Sequence, residues 1–317
     1  MEDNYSFFPS EINVSNISSF SVKLASVEEQ KICELAEIAN DASDFLKKTL
    51  DDGLSFYEAL CILGESLSFD KASYIKTPLK ENLYHLDAFS EISTDFDKSA
   101  FCTLLYEYLD LKGISLSEKI FFRTFPKDES FVYVKNAFSD EAYDVFSQDF
   151  EDPRVRYASN FKEALRLVSD NAVSFCLLPF EERGVRIPTV EELIFRGDYK
   201  VNSVIPVFGY DGNAEMKYAL VSKNIYSSDY FADDDRYFEL RVPLDSDRGL
   251  SSLIISAEEF GVKIYRVNTL GFKTEEGQKN YFSVVLKTVG TDFTKLLIYL
   301  TVFLPEYIPV GIYKNLE

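Results

Sequence analysis

The sequence is short of residue types on which common kinds of functional site depend. It has no tryptophan and one histidine, His85, so a metal site with several histidines is excluded and a histidine-dependent catalytic triad is disfavoured. No apolar run is long enough to cross a bilayer. The acidic start, residues 1–4, lacks the basic region of a signal peptide. We therefore expect a cytoplasmic protein.

Positive charge is also scarce. Lysine and arginine total 33 against 53 acidic residues, which gives a formal net charge of -20. This balance argues against binding to nucleic acid or to an anionic membrane, because too few cations remain to neutralise phosphates. The first arginine is Arg123. Any anionic small ligand must therefore be held by a few local cations in the later part of the chain.

The four cysteines have no paired spacing. Each stands among apolar neighbours, so we expect buried, reduced thiols and no disulfide framework. These residues are Cys33, Cys61, Cys102 and Cys176. We predict no metal and no cofactor.

Apolar residues are plentiful: they make up 46% of the 317 residues. A chain of this length and apolar content can form two or three globular domains. Residues 1–125 are predicted to be mostly helical. Apolar residues recur at helical spacing over residues 27–50, 55–67 and 97–111. An extended start at 12–22 and an irregular segment at 69–93 complete this region, which we interpret as a structural or dimer-forming domain.

Residues 126–223 are predicted to form an α/β lobe. Helices are expected at 139–150, 160–169 and 190–195. Ser139 is the predicted N-cap of the first helix, because its hydroxyl can accept a hydrogen bond from a free backbone amide of the first turn. The continuous apolar run 173–178 is typical of a buried parallel strand. Further strands are expected at 131–134, 201–208 and 217–221. The polar, acidic segment 224–235 is interpreted as a linker.

Residues 236–317 give the order strand, helix, strand, strand, helix, strand. Gly261 closes the first helix, as a residue free to adopt positive φ should, and 273–279 forms a turn. Two crossovers of this kind predict a ferredoxin-like sheet with both helices on one face. The whole chain is therefore expected to be α/β, or α+β overall.

Three segments resemble the prephenate dehydratase family with its C-terminal ACT domain. They are the opening Asn136-Ala137-Phe138-Ser139, the strand Phe175-Cys176-Leu177-Leu178-Pro179-Phe180-Glu181, and Met216-Lys217 before a strand. The similarity covers roughly residues 128–317. It implies a lobe like those of periplasmic binding proteins, an ACT-like domain, and conversion of prephenate to phenylpyruvate, water and CO2 in phenylalanine biosynthesis. The absence of arginine before Arg123 argues against a fused chorismate mutase in the helical N-terminal region.

The positions that this chemistry needs are altered. The threonine and arginine of the family's late motif are Met216 and Lys217 here; methionine has no proton to donate, and lysine lacks the bidentate fork. Only residues 209–215 stand where the family inserts a second lobe. If the protein is active, the candidate catalytic residues are Lys217, Ser139 and Glu181. Each also has a structural interpretation: a strand-end lysine, a helix cap, and part of a solvated charged loop.

The ACT-like part suggests a second candidate site. By resemblance, an amino acid would lie between the turn Arg248-Gly249-Leu250 and the strand end at Asn268 and Thr269, with homodimerisation through this domain. Gly249 would let the backbone approach a ligand closely. The proline and arginine of the family's strand end are missing.

Three hypotheses follow. The first is a non-catalytic relative that binds a small molecule such as an aromatic amino acid, in a regulatory or dimerising role. The second is a working prephenate dehydratase that uses other residues. The third is a purely structural oligomeric protein.

Overall fold

A computed structural model of the chain describes residues 14–67, 94–208, 215–227, 236–244, 249–274, 277–288 and 292–314. The predicted irregular segment 69–93 and His85 lie outside these residues. In the described part of the chain, N-terminal helices are followed by strands and helices of an α/β lobe and then by elements in the order strand, helix, strand, strand, helix, strand. The mixed α/β fold class is confirmed.

The described residues of the N-terminal region form three α-helices. They are α1 (Val14–Asp51), α2 (Phe56–Leu67) and α3 (Asp95–Leu111). The predicted extended start at 12–22 is wrong from Val14 onward, because Val14, Ile17, Phe20 and Leu24 continue the helical spacing and no glycine or proline interrupts it. Thr94 and Asp97 form a reciprocal capping box that fixes where α3 begins.

Among the described residues, the α/β lobe contains three α-helices and eight strands, of which three are only two residues long. The helices are α4 (Ala137–Phe146), α5 (Phe161–Ser169) and α6 (Pro188–Arg196). The strands are β1 (Arg123–Thr124), β2 (Ser130–Tyr133), β3 (Arg154–Tyr157), β4 (Phe175–Glu182), β5 (Val185–Arg186), β6 (Lys200–Phe208), β7 (Glu215–Ser222) and β8 (Tyr226–Ser227). Strand β4 runs parallel to β2 and antiparallel to β7. Residues 226–227, which the sequence assigns to a linker, form a strand that pairs with β1.

The ferredoxin-like module follows the predicted order. It consists of β9 (Arg236–Pro243), α7 (Gly249–Glu259), β10 (Lys263–Thr274), β11 (Gly277–Lys287), α8 (Phe293–Phe303) and β12 (Ile308–Lys314). Gly261 closes α7 with a φ of 68°, as predicted. The turn between β10 and β11 is shorter than the predicted turn at 273–279, because the two strands pair as far as Thr274 and Gly277.

One continuous sheet joins the lobe to the module. Its order is β10-β11-β9-β12-β6-β7-β4-β2-β3, with β5 beside β4. The two parts meet where Gly311 of β12 pairs in parallel with Val201 of β6. A Cβ atom at position 311 would overlap the Val201 carbonyl oxygen, so only glycine permits this approach.

The two faces of the sheet carry different helices. On one face of the module, Phe238, Leu240 and Val242 pack with α7, α8 and the N-terminal helices in a shared core. On the other face, Tyr237 and Tyr313 pack in the same core as residues of α5 and α6. The N-terminal helices therefore extend the module's own helical layer. They do not form a wall on the side of α5 and α6.

Candidate functional site

Ser139 lies in the first turn of helix α4 and takes part in the capping of that helix. Asn136 is the N-cap, and its side chain accepts a hydrogen bond from the Ser139 amide at 3.0 Å. The Ser139 hydroxyl in turn accepts from the Asn136 amide at 2.8 Å and lies 2.9 Å from the Val134 carbonyl, to which it donates. The prediction that Ser139 is itself the N-cap is wrong by three residues. The side chain is buried, and its hydrogen-bonding capacity is used by the backbone.

Glu181 lies in a buried cluster of charges between the lobe and the module. Its Oε2 is 3.2 Å from Arg186 Nε and 3.5 Å from Arg266 Nη2. The first contact is an ion pair by distance but is too poorly aligned for a hydrogen bond. The interpretation of residues 181–186 as a solvated loop is therefore wrong for Glu181 and Arg186, whose side chains are 8% and 11% exposed. Residues 183 and 184 do form an exposed turn, with φ of 49° and 78°.

Glu239 of β9 is the centre of this cluster. It accepts hydrogen bonds from Arg186 Nη2 at 2.8 Å, from the Tyr313 hydroxyl at 2.6 Å and from the Ser283 hydroxyl at 3.0 Å. Burial alone would raise the pKa of Glu239, but the charge of Arg186 and these hydrogen bonds outweigh it and lower the pKa to about 2. The guanidinium of Arg186 also stacks on the Phe180 ring at 3.7 Å. Residues of both parts of the fold thus share one carboxylate.

The structure brings together two of the three candidate catalytic residues. Glu181 and Lys217 are direct partners across β4 and β7. Because side chains alternate along a strand, Lys217 shares the α5 and α6 side with Ala219, whereas Tyr218 packs in the core beneath α4. Ser139 belongs to α4, on the other side of the sheet. The three residues therefore do not converge on one point.

The candidate ligand residues of the module are also divided. Gly249 begins α7 with a φ of 55°, and its carbonyl accepts a hydrogen bond from the Tyr307 hydroxyl at 2.6 Å. Thr269 pairs through β11 with Val242, so it lies on the same face as α7 and Leu250. Asn268 pairs with Ser283 and lies on the opposite face. Arg248 is outside the described residues.

Several charged residues of the cluster were missed in the sequence. They are Arg186, Glu191, Glu239, Arg241 and Arg266. The available signal was the alternation in β9, where Glu239 and Arg241 occupy alternate positions between the apolar residues Phe238, Leu240 and Val242. That pattern is typical of a strand with one solvated face, and no local pattern indicates that α6 and β5 cover this face.

The cysteine environments differ from the prediction at two positions. All four thiols are free, but Cys33 is exposed and Cys61 is half-buried on the N-terminal helices. Cys102 and Cys176 are buried as expected, and burial raises the pKa of both thiols. Among the described residues, no group of three or more histidine, cysteine or acidic side chains is arranged to hold a metal ion. None of the described helices has the length and apolarity needed to span a membrane.

No family model and no curated protein matches the chain. Among solved structures, the chain is similar to the prephenate dehydratase of Streptococcus mutans, with 13% identity and a TM-score of 0.45, over 58% of this chain and 97% of that one. It is also similar to the prephenate dehydratase of Arthrobacter aurescens in complex with L-Phe, with 12% identity and a TM-score of 0.41, over 59% and 90%. A third similar structure is GqqA, described as a novel type of quorum quenching acylase, with 13% identity and a TM-score of 0.41, over 59% and 96%.

The prephenate dehydratase structures belong to the family that the sequence resembles, and they cover about the share of the chain over which the resemblance runs. At sequence identities of 12–13%, the similarity to these structures is a similarity of fold alone. Any activity must be argued from the residues of this chain.

Proposed function

We propose that this chain is a cytoplasmic, non-catalytic relative of prephenate dehydratase that binds a small molecule of the amino acid class. One observation carries the proposal: two of the three candidate catalytic groups are already used by the fold. The Ser139 hydroxyl is bonded to backbone at the start of α4, and Glu181 is paired with Arg186 and Arg266. A prephenate dehydratase must hold a dianion and assist a leaving hydroxide, which needs free cations and a free acid.

Turnover of prephenate tests this proposal. Purified full-length protein should convert prephenate to phenylpyruvate no faster than buffer does. Conversion that is lost in Lys217→Ala and kept in Lys200→Ala would establish the active enzyme instead. Lys200 is a suitable control because its ion pair, with Asp198, is remote from Glu181 in the strand register.

An amino acid is the ligand class that we favour, because one of the similar structures holds L-Phe. A thermal shift on adding L-phenylalanine or L-tyrosine would support binding, since a ligand that prefers the folded state raises the melting temperature. If the binding site is the α7 face, Thr269→Val should abolish the shift. No shift with any amino acid would favour the purely structural protein.

We also propose that the chain forms a homodimer through its ACT-like module. Strand β12 is already paired with β6, so within the described chain the module's remaining sheet edge is β10. This strand is 12 residues long and exposes Tyr265 and Val267, at 45% and 39%. A long edge with exposed apolar side chains is a template for strand pairing with another chain. Light scattering should give a dimer that Val267→Asp converts to a monomer; an unchanged mass in that variant would contradict this interface.

A further inference from the structure

Arg241 is a buried cation for which the described part of the chain provides no anionic partner in contact. The residue is 3% exposed, and its Nε atom is buried without a hydrogen-bond partner. Its guanidinium instead lies 5.0 Å from the ring centre of Phe195 and 5.6 Å from that of Phe272. Rings supply part of the attraction that a carboxylate would give, but a buried unpaired charge remains costly.

Glu191 is the complementary case. It lies on α6, which covers Arg241, and it is 8% exposed. Burial raises the pKa of Glu191, and the opposing effect of the nearby arginines does not cancel it. The charges of Glu191 and Arg241 influence each other, yet no nitrogen–oxygen contact of 4.0 Å or less joins them in the described structure.

The surroundings of Arg241 add two polar side chains. Arg241 is paired across the sheet with Ser283, and Ser283 with Asn268, so all three side chains lie on the same face. The Ser283 hydroxyl is already bonded to Glu239. Asn268 is exposed on the edge strand β10, which is separated from β9 by β11 in the sheet.

We infer that Arg241 and Glu191 form a binding site for a free α-amino acid, whose carboxylate pairs with Arg241 and whose ammonium group pairs with Glu191. A zwitterion satisfies both buried charges at once. A simple anion would leave Glu191 unpaired, and a simple cation would leave Arg241 unpaired. The site lies on the opposite face of the sheet from Gly249 and Thr269. It rests on the proposed function only for the class of the ligand.

The test is calorimetric titration of the full-length protein with L-phenylalanine. Arg241→Met and Glu191→Gln should each weaken binding by at least ~10-fold, because each removes one partner of a buried charge pair. Arg196→Met and Glu192→Gln on the same helix should bind like wild type, since their ion pair is about half exposed. Two analogues complete the design: 3-phenylpropionate lacks the ammonium group, phenethylamine lacks the carboxylate, and both should bind more weakly than the amino acid.

Wild-type affinity in both Arg241→Met and Glu191→Gln would overturn the inference. If binding is lost only in Thr269→Val, the proposed function stands and the inference is wrong, because the ligand then lies on the α7 face. If L-phenylalanine, L-tyrosine, L-alanine and glycine all fail to bind wild type, both are wrong. Arg241→Met is expected to fold, because it replaces an unpaired buried charge with an apolar chain of similar length, and a cooperative unfolding transition checks this.

Discussion

Glu239 and Arg241 stand two residues apart on β9 and face the same side of the sheet, yet their environments are opposite. Glu239 accepts three hydrogen bonds and has an arginine partner. Arg241 has aromatic rings for neighbours and no ion pair within the described chain. Both are almost completely buried. The comparison teaches that buried charge serves two purposes here: the paired group holds the lobe against the module, and the unpaired group is available to a ligand.

The largest expected effect comes from breaking the paired group. Glu239→Gln should lower the free energy of unfolding by about 3 kcal/mol, because Arg186 is left buried without its main counter-charge. Urea unfolding measures the loss. Glu192→Gln, in the exposed pair with Arg196, is the matched control and should cost no more than about 0.5 kcal/mol. Equal losses in the two variants would show that the cluster does not join the two parts.

The second largest loss of stability is expected from disturbing the backbone contact between β12 of the module and β6 of the lobe. Gly311→Ala should destabilise the protein by about 2 kcal/mol, because the added methyl group meets the Val201 carbonyl, which the sheet holds in place. Gly271→Ala is the control: its methyl group would meet only the ends of the Asn280 and Gln278 side chains, which can move. Equal thermal stabilities of the two variants would mean that β12 and β6 are not tightly joined.

Glu239 and Glu191 should make the stability of the protein depend on pH in opposite directions. The pKa of Glu239 is lowered to about 2, so its contribution is present above its unfolded-state value of about 4.5 and is lost as the pH falls toward 2. The pKa of Glu191 is raised, so this group favours the fold at low pH and opposes it as the pH rises through the raised value. Relative to wild type, Glu239→Gln should therefore lose stability at pH 7 and much less near pH 2. Glu191→Gln should gain stability at pH 7, and the opposite signs would contradict these assignments.

The sequence predicted the fold well where local pattern decides it. The element order of the module, the closing role of Gly261 and the helices of the lobe follow from apolar spacing and turn residues. The incorrect predictions also have a physical reason. Residues 14–22 were expected to be extended, but the spacing of their apolar positions is helical and they belong to α1.

The candidate site was harder to predict, because it depends on which elements cover the second face of β9. Arg186 reaches Glu239 across 53 positions of sequence, and Phe195 reaches Phe272 across a still longer separation. No local pattern encodes such contacts. Glu181 and Lys217 were singled out from a family resemblance, and the strand register makes them partners, but resemblance did not indicate that Glu181 is already paired with two arginines.

The most direct test of this account compares the unfolding free energy of Arg241→Met and wild type, each with and without L-phenylalanine. Without the ligand, the variant should be more stable than wild type by about 1 kcal/mol, because an unpaired buried charge is removed. With the ligand, wild type should gain stability and the variant should not. A variant that is less stable without ligand, and that L-phenylalanine still stabilises as much as wild type, would contradict the claim that this charge is kept for a ligand.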